Sequence, residues 1–281
     1  MPELPEVETV KQAIEDAVLG HYIIDVKVSG KKMRWPIPED ISSQIKNAEI
    51  MSLERRGKYI FVHIKNEMSQ KIILIHLGMS GSIRIYDGNK SVNQKNHDHL
   101  IIKTKNNSEE KTMVLNDPRR FGGVDIVEAN SINDHILIKN IGVEPLGNEL
   151  NDVYLKERLN NKQTSIKQAL LDQKIIAGIG NIYASEILYR IGVSPKRLSK
   201  NVSNKKIEEM IPAIKNVLNE AIAQGGTSLR DHVQPCGEIG YFKQSLAVYG
   251  RKDEPCNHCG TKVKEIKQNG RASFYCSKCQ R

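Results

Sequence analysis

No run of apolar residues in this 281-residue chain approaches the ~20 that a membrane-spanning helix needs. That absence argues against a helical membrane protein. The opening MPELPEVETV is acidic and lacks the apolar core of a secretory signal, so the sequence points to a soluble, cytoplasmic protein with no membrane partner. No internal repeat is present. Cysteine is scarce: of five, Cys236 stands apart and reads as a free thiol of no consequence, while the other four form two close pairs. In an intracellular chain that pairing favours metal over disulfides. Acidic residues are in the minority, 33 Asp and Glu against 42 Lys and Arg, giving a formal net charge of +9 and a pI of about 9.2. Such a surplus fits nucleic acid, an anionic membrane surface or an acidic partner. Its location narrows the choice. Between Gly250 and Arg281 eight basic residues (Arg251, Lys252, Lys262, Lys264, Lys267, Arg271, Lys278, Arg281) face three acids (Asp253, Glu254, Glu265). More than half of the excess charge therefore lies at one end of the chain, as an electrostatic footprint for phosphates would.

The length suits one large domain or two ordinary ones, and 39% apolar residues suffice for real cores. From Glu3 to Leu19, Val7, Val10, Ile14, Ala17 and Val18 recur at helical spacing, and Gly20 is a stop. Short β-branched runs follow, beginning at Tyr59, Lys71, Ser82, His99, Thr112 and Gly123 and separated by polar turns, among them DGNKSVNQKN and KNNSEE. That spacing suggests an antiparallel sandwich or barrel. Beyond about Asn130 the pattern turns helical, around Val153–Leu159, Ile166–Leu171, Ile182–Ile191 and Lys205–Ala223. In the last, Ile207, Met210, Ile211, Ile214, Val217, Leu218 and Ile222 make an apolar stripe that reads as a core face. The expected fold is α+β: a β-sandwich domain over 2–130 with an N-terminal helix, a linker over 131–148, a helical domain over 149–245 and a zinc module over 246–281.

Two CxxC units, Cys256/Cys259 and Cys276/Cys279, enclose sixteen residues, a length that suits a β-hairpin. Four thiolates in one closed tetrahedral shell make a structural Zn²⁺ site with no open position for catalysis. His258 lies inside the first knuckle and reads as exposed, since four sulfurs already fill the shell. One zinc ion would hold a hairpin too small for a core of its own. Arg271 falls on that hairpin, either as one more surface cation or as a side chain that reaches a DNA groove.

In IAGIGNIYASE, Gly178 and Gly180 permit a tight turn, and Asn181 is a suitable N-cap for the next helix. The first N–H groups of such a helix are free to bind an anion. At the other end of the chain, Pro2 follows the initiator methionine, whose removal would leave a prolyl amine. That secondary amine is nucleophilic and would form a cationic iminium with a sugar aldehyde carbon, an electron sink for elimination. Glu3 beside it would move protons. Met-Pro openings also occur with no chemical role, and Pro and Glu are ordinary in a helix's first turn.

PELPEVET at 2–9, HLGMSG at 76–81, DPRRFG at 117–122, GIGNIYASE at 178–186 and the terminal CxxC–CxxC hairpin together resemble the formamidopyrimidine-DNA glycosylase family, in order and over nearly the whole chain. The opening PELPEVET resembles this branch more than the related endonuclease VIII branch. The resemblance implies a bifunctional glycosylase and AP lyase that takes 8-oxoguanine and formamidopyrimidines from duplex DNA, with a helix–two-turn–helix region, one structural zinc and a monomeric chain. It implies that Pro2 attacks C1′, that Glu3 assists sugar-ring opening, and that Lys58 holds the site and its phosphate. Glu3, Lys58 and Arg271 would serve as proton donors. His76, Asn181 and Arg271 would contact phosphates, Lys167 would be a basic residue at the DNA, and Met79, Arg119 and Phe121 would enter the duplex when the damaged base leaves. The segment from Gly225 to Tyr241 would cover the everted base. The runner-up functions are an endonuclease VIII-like glycosylase for oxidised pyrimidines and a zinc-ribbon DNA binder without catalysis.

Overall fold

The computed structural model of the protein describes residues 1–67, 69–88, 95–227 and 242–281. These form two compact units, residues 1–139 joined by 225–227, and residues 140–224 joined by 242–281.

In the first unit, helix α1 (Leu4–Val18) starts from Glu3 and carries Pro5 in its first turn, where a missing N–H costs nothing. Leu4, Val7, Val10, Ile14 and Val18 are buried along one face. The chain turns out of the helix at Gly20 in the left-handed region, φ 75°. Eight strands follow: β1 (Tyr22–Val28), β2 (Glu49–Arg56), β3 (Tyr59–Lys65), β4 (Gln70–His76), β5 (Ser82–Asp87), β6 (Asp98–Lys105), β7 (Glu110–Asn116) and β8 (Gly123–Glu128). A short helix α2 (Ile41–Ile45) lies between β1 and β2. The strands make one antiparallel ladder in the order β5-β7-β6-β1-β2-β3-β4-β8. The expected sandwich is thus built from one continuous sheet. Ile83 of edge strand β5, Leu115 of β7, and Ile60 and Ile73 of β3 and β4 share a single apolar cluster with Val10 and Ile14 of α1. The sheet curves around the helix, and α1 touches β2, β3 and β5.

Strands β1 and β2 and helix α2 are not expected from the sequence pattern. The cause is local: both strands carry an irregularity, between Ile23 and Asp25 against β6 and between Ile50 and Ser52 against β3. One extra residue shifts the alternation by one place and erases the period-2 signature.

The second unit holds helices α3 (Asp152–Leu159), α4 (Ile166–Leu171), α5 (Asn181–Arg190) and α6 (Asn204–Ala223) and the hairpin of β9 (Lys264–Gln268) and β10 (Arg271–Tyr275). Asn151, Ser165 and Ser203 cap α3, α4 and α6 by accepting from the N–H three residues on. Such caps contribute about 1 kcal/mol each. The apolar stripe of α6 is buried at Ile207, Met210, Ile214, Val217 and Leu218, as a core face should be.

The expected division into three domains and a linker differs from these two units. The 131–148 stretch parts at 139/140: His135 hydrogen-bonds Asp125 of β8, while Val143 bridges to Ile176 of the second unit. The zinc module packs within the second unit, where Val248, Cys256, Val263 and Cys276 meet Tyr189 of α5. A hairpin this small finds its apolar partners in the helix beside it. Among the described residues no helix is long and apolar enough to cross a membrane.

Candidate active site

Chain termini usually fray, yet Pro2 and Glu3 are buried in the first unit. Glu3 is held in extended conformation at the N-cap of α1, and its N–H donates to Glu6 Oε2 at 2.8 Å. Glu6 is itself 2% exposed, and its other oxygen accepts the Thr227 N–H at 2.7 Å. One buried carboxylate thus links the N-terminal residues to the start of the 225–241 segment. At Gly226 (φ 77°) a Cβ would lie 3.0 Å from that carboxylate, so a side chain there would crowd Glu6. Beyond Thr227, that segment and Cys236 lie outside the described residues.

Lys58 stands at the tip of the β2–β3 hairpin, whose last cross-strand pair is Arg56–Tyr59. Two residues close the turn, and Gly57 supplies the left-handed φ of 58° that a tight hairpin needs at its first position. Lys58 is 9% exposed, a low value for a lysine at a turn.

His76 ends β4 opposite Tyr59, with ring centroids 4.8 Å apart. Its Nδ1 accepts the Gly78 N–H at 3.2 Å, which places the ring proton on Nε2. Burial, then the positive charges of Lys58 and Arg34, push its pKa down to about 4, against a smaller upward pull from Asp117. At neutral pH His76 is therefore an uncharged donor rather than a cation. Arg34, close enough to act on His76, is exposed and was not singled out in the sequence; its N–H donates to Arg120 O at 2.9 Å.

HLGMSG and DPRRFG form two adjoining turns. Met79 is half-buried on the first, while Arg119 and Phe121 are exposed on the second. The Arg119 guanidinium lies 4.9 Å from the centre of the Phe121 ring. A phenylalanine 37% exposed under an arginine is not a core residue.

In the second unit, Gly178 (φ 83°) makes the turn before α5, and the Gln173 side chain clamps it. Gln173 Oε1 accepts from Gly178 N–H and its Nε2 donates to Ile179 O, each at 2.8 Å. Asn181 is not the N-cap of α5. Gly180 takes that place in extended conformation, and Asn181 is the first helical residue. Its side chain is turned away from its own helix: Nδ2 donates to Ala272 O at 3.0 Å on the zinc hairpin.

Lys167 is 1% exposed. Its Nζ donates to Ala272 O at 2.8 Å and to Ser273 Oγ at 2.7 Å. Lys167, expected at the DNA, holds the hairpin that carries Arg271 through these two bonds. Arg271 is exposed beside these anchors, at the start of β10, after a two-residue turn in which Asn269 (φ 46°) and Gly270 (φ 77°) are both left-handed. Asn181, Lys167 and Arg271 therefore meet at one stretch of backbone.

The Sγ atoms of Cys256, Cys259, Cys276 and Cys279 lie within 4.8 Å of one another. A tetrahedral Zn–S₄ shell with bonds of about 2.3 Å needs sulfurs roughly 3.8 Å apart, so the set fits one Zn²⁺. Tyr189 Oη stands 3.2 Å from Cys256 Sγ, positioned to donate to a bound thiolate. His258 is exposed and outside the cluster. Glu186 braces the approach to the module, accepting the N–H groups of Ala247, Val248 and Tyr249; burial, partly countered by these bonds, pushes its pKa up.

Residues 1–124 match the model of the formamidopyrimidine-DNA glycosylase N-terminal domain, residues 141–233 that of the corresponding H2TH domain, and residues 253–281 a zinc finger found in FPG and IleRS. The chain is 43% identical over 282 residues to the formamidopyrimidine-DNA glycosylase of Zymomonas mobilis and 41% identical over 290 residues to that of Dinoroseobacter shibae. Both alignments cover 100% of each chain. Among solved structures, a Lactococcus lactis FPG variant in complex with Fapy-dG DNA superposes with a TM-score of 0.90 at 30% identity, covering 100% of both chains. A MutM complex with carbocyclic 8-oxo-G DNA gives 0.89 at 30% identity with the same coverage.

Proposed function

We propose the roles of these residues from one premise: the chain belongs to the formamidopyrimidine-DNA glycosylase family. It is a DNA-repair glycosylase for oxidised purines, with the AP lyase activity of that family and one structural zinc. Removal of Met1 exposes the secondary amine of Pro2. The amine lone pair attacks C1′ of an everted 8-oxoguanine or formamidopyrimidine nucleotide, and the base leaves with the glycosidic electron pair and takes up a proton. The prolyl nitrogen loses its proton, and Glu3 delivers a proton to the sugar ring oxygen as the ring opens, which converts the hemiaminal ether at C1′ to an iminium. That cation accepts the electrons of the C2′–H bond, so the 3′ phosphate departs by β-elimination and the 5′ phosphate by δ-elimination. Water then releases the sugar remnant from Pro2.

Lys58 and the Nε2–H of neutral His76 hold the phosphate at the damaged nucleotide. Met79, Arg119 and Phe121 fill the space the nucleotide vacates, which offsets a flipping cost of a few kcal/mol. Asn181 and Arg271 position the backbone, and Lys167 fixes the hairpin that carries Arg271. The protein acts as a cytoplasmic monomer on nucleoid DNA.

The observation that supports this reading most directly is the burial of Pro2 and Glu3, with the Glu3 N–H fixed on Glu6. That bond is one half of a capping box at the start of α1, and it fixes the N-terminal residues in one place, as a nucleophile there requires. Borohydride reduction during incubation with 8-oxoguanine duplex should yield a covalent protein–DNA adduct on the N-terminal peptide. An adduct on Lys58, or normal excision by a chain extended ahead of Pro2, would overturn the assignment. A wider substrate range is a second reading with its own support, since a Lactococcus lactis FPG structure contains oxidised-pyrimidine DNA. Duplexes each carrying one lesion separate the two: equal excision of oxidised pyrimidines would favour the wider range.

A further inference from the structure

Asp117 opens the DPRRFG turn and is 0% exposed. It faces the turns that carry Met79, Arg119 and Phe121, and no step described above uses it. Its Oδ1 accepts the Ser80 hydroxyl at 2.6 Å and the Arg119 N–H at 3.2 Å, and its Oδ2 accepts the Gly122 N–H at 2.8 Å. Ser80 belongs to the HLGMSG turn, next to Met79. Arg119 and Gly122 flank the remaining two residues of the second turn. Ser80 Oγ also accepts the Arg119 N–H at 3.2 Å, so the two turns share one closed set of bonds.

The backbones themselves are in contact. A Cβ on Gly78 (φ 63°) would lie 2.4 Å from Gly122 N, and a Cβ on Gly122 would lie 2.6 Å from His76 O. Neither turn can shift without moving the other. The second turn is also held away from its relaxed shape. Arg120 sits at φ 58°, a conformation that L side chains avoid, while its carbonyl accepts the Arg34 N–H at 2.9 Å. Trp35 bridges Gly123 on the same side. Such a conformation persists only where surrounding bonds impose it. Here the buried bonds come from Asp117.

We propose that Asp117 is a positioning residue for excision: its carboxylate fixes the two turns in the arrangement that lets Met79, Arg119 and Phe121 enter the duplex. The proposal rests on the intercalating role given to those three side chains. It separates excision from lyase chemistry. Evicting an intact base from a duplex needs the gap to be filled, whereas β-elimination at a preformed abasic site in single-stranded DNA does not.

Asp117→Ala leaves the Ser80 hydroxyl and the Gly122 N–H without their acceptor, while the Arg119 N–H keeps only Ser80 Oγ. It should slow single-turnover excision of 8-oxoguanine from duplex by roughly ten- to a hundredfold, as a misplacement of about 1 Å does. The same variant should keep β-elimination on single-stranded abasic DNA within about twofold of the parent protein, because the lyase step needs no filled gap. Asp117→Asn can still accept the Gly122 N–H and turn its amide toward Ser80 Oγ, so it should recover part of the excision rate. Phe121→Ala is the control for the underlying reading. If Phe121→Ala excises at the parent rate, intercalation is wrong and the proposal goes with it. If Phe121→Ala is slow but Asp117→Ala is not, intercalation stands and the role of Asp117 is refuted. If Asp117→Ala loses both activities together, Asp117 merely maintains the fold, and the proposal is again refuted.

Discussion

Lowering the pH should expose the unusual state of His76. Burial beside Lys58 and Arg34 takes its pKa from 6.5 down to about 4. Since the folded value is the lower one, the unfolded chain binds the extra proton between these two pH values. The stability that neutral His76 contributes is complete above about pH 6.5 and is lost as pH falls towards 4. The whole difference corresponds to at most about 3 kcal/mol, the side chain being only half-buried, and about 2 kcal/mol of it should be gone at pH 5. Urea unfolding of the parent protein and His76→Asn at pH 7.5 and pH 5.0 measures this. Zinc thiolates also take up protons in acid, but both proteins share them. The parent should therefore lose about 2 kcal/mol more than the variant over that interval. NMR titration of the ring protons gives the pKa itself. A His76 midpoint near 6.5, or equal losses in the two proteins, would refute the environment derived for this residue. A functional corollary follows from the charge state. An uncharged donor releases no counterion on meeting a phosphate, so His76→Asn should weaken binding without changing its salt slope.

Arg271→Ala should weaken binding to damaged and undamaged duplex alike and reduce the salt slope by about 1; Asn181→Ala should weaken both alike and leave the slope nearly unchanged. A loss confined to lesion-bearing DNA would disqualify either as a backbone clamp. Cys276→Ser should lose zinc and DNA affinity together, measured by metal content and by mobility shift, because the hairpin is placed by the ion. Full affinity without metal would show that packing against α5 suffices. Lys167→Met should change stability by less than about 2 kcal/mol, since charge-assisted bonds of ~1.5–3 kcal/mol are offset by relief of ammonium desolvation. It should nonetheless weaken DNA binding, and its effect should be less than additive with Arg271→Ala, because both act through one hairpin.

The parts of this fold that were legible in the sequence are those whose signal is local. The stripe of α6, the face of α1 and the CxxC spacing each depend on residues within a few turns of one another. The sheet was legible only where alternation survives. At β1 and β2 the irregularities near Asp25 and Ser52 break it, so two strands that lie inside the sheet order escaped notice. Asn181 shows a different limit. Its residue type suits an N-cap, but a glycine before it can take the extended conformation, which frees the amide for Ala272, 91 residues away. No local pattern contains that carbonyl.

The same distinction separates residues that a local motif marks from residues that hold the fold together. The cysteines announce themselves by spacing, and Pro2 by the PELPEVET motif it opens. Glu6, Asp117 and Lys167 work by bonding partners far along the chain: Thr227 is 221 residues from Glu6, Ser80 is 37 from Asp117, and Ser273 is 106 from Lys167. Many of those partners are backbone N–H or C=O groups, which every residue but proline offers in both forms and which carry no sequence signature. Lys167 makes the consequence plain. In a basic, DNA-binding chain any lysine reads first as a phosphate contact, and nothing local reveals the 1% exposure and the bonds to the hairpin that Lys167 has in the fold. A lysine on the surface could be exchanged for arginine with its charge intact. Here a larger, planar guanidinium would replace a compact ammonium bonded at once to Ala272 O and Ser273 Oγ, so Lys167→Arg should disturb the hairpin at least as much as Lys167→Met.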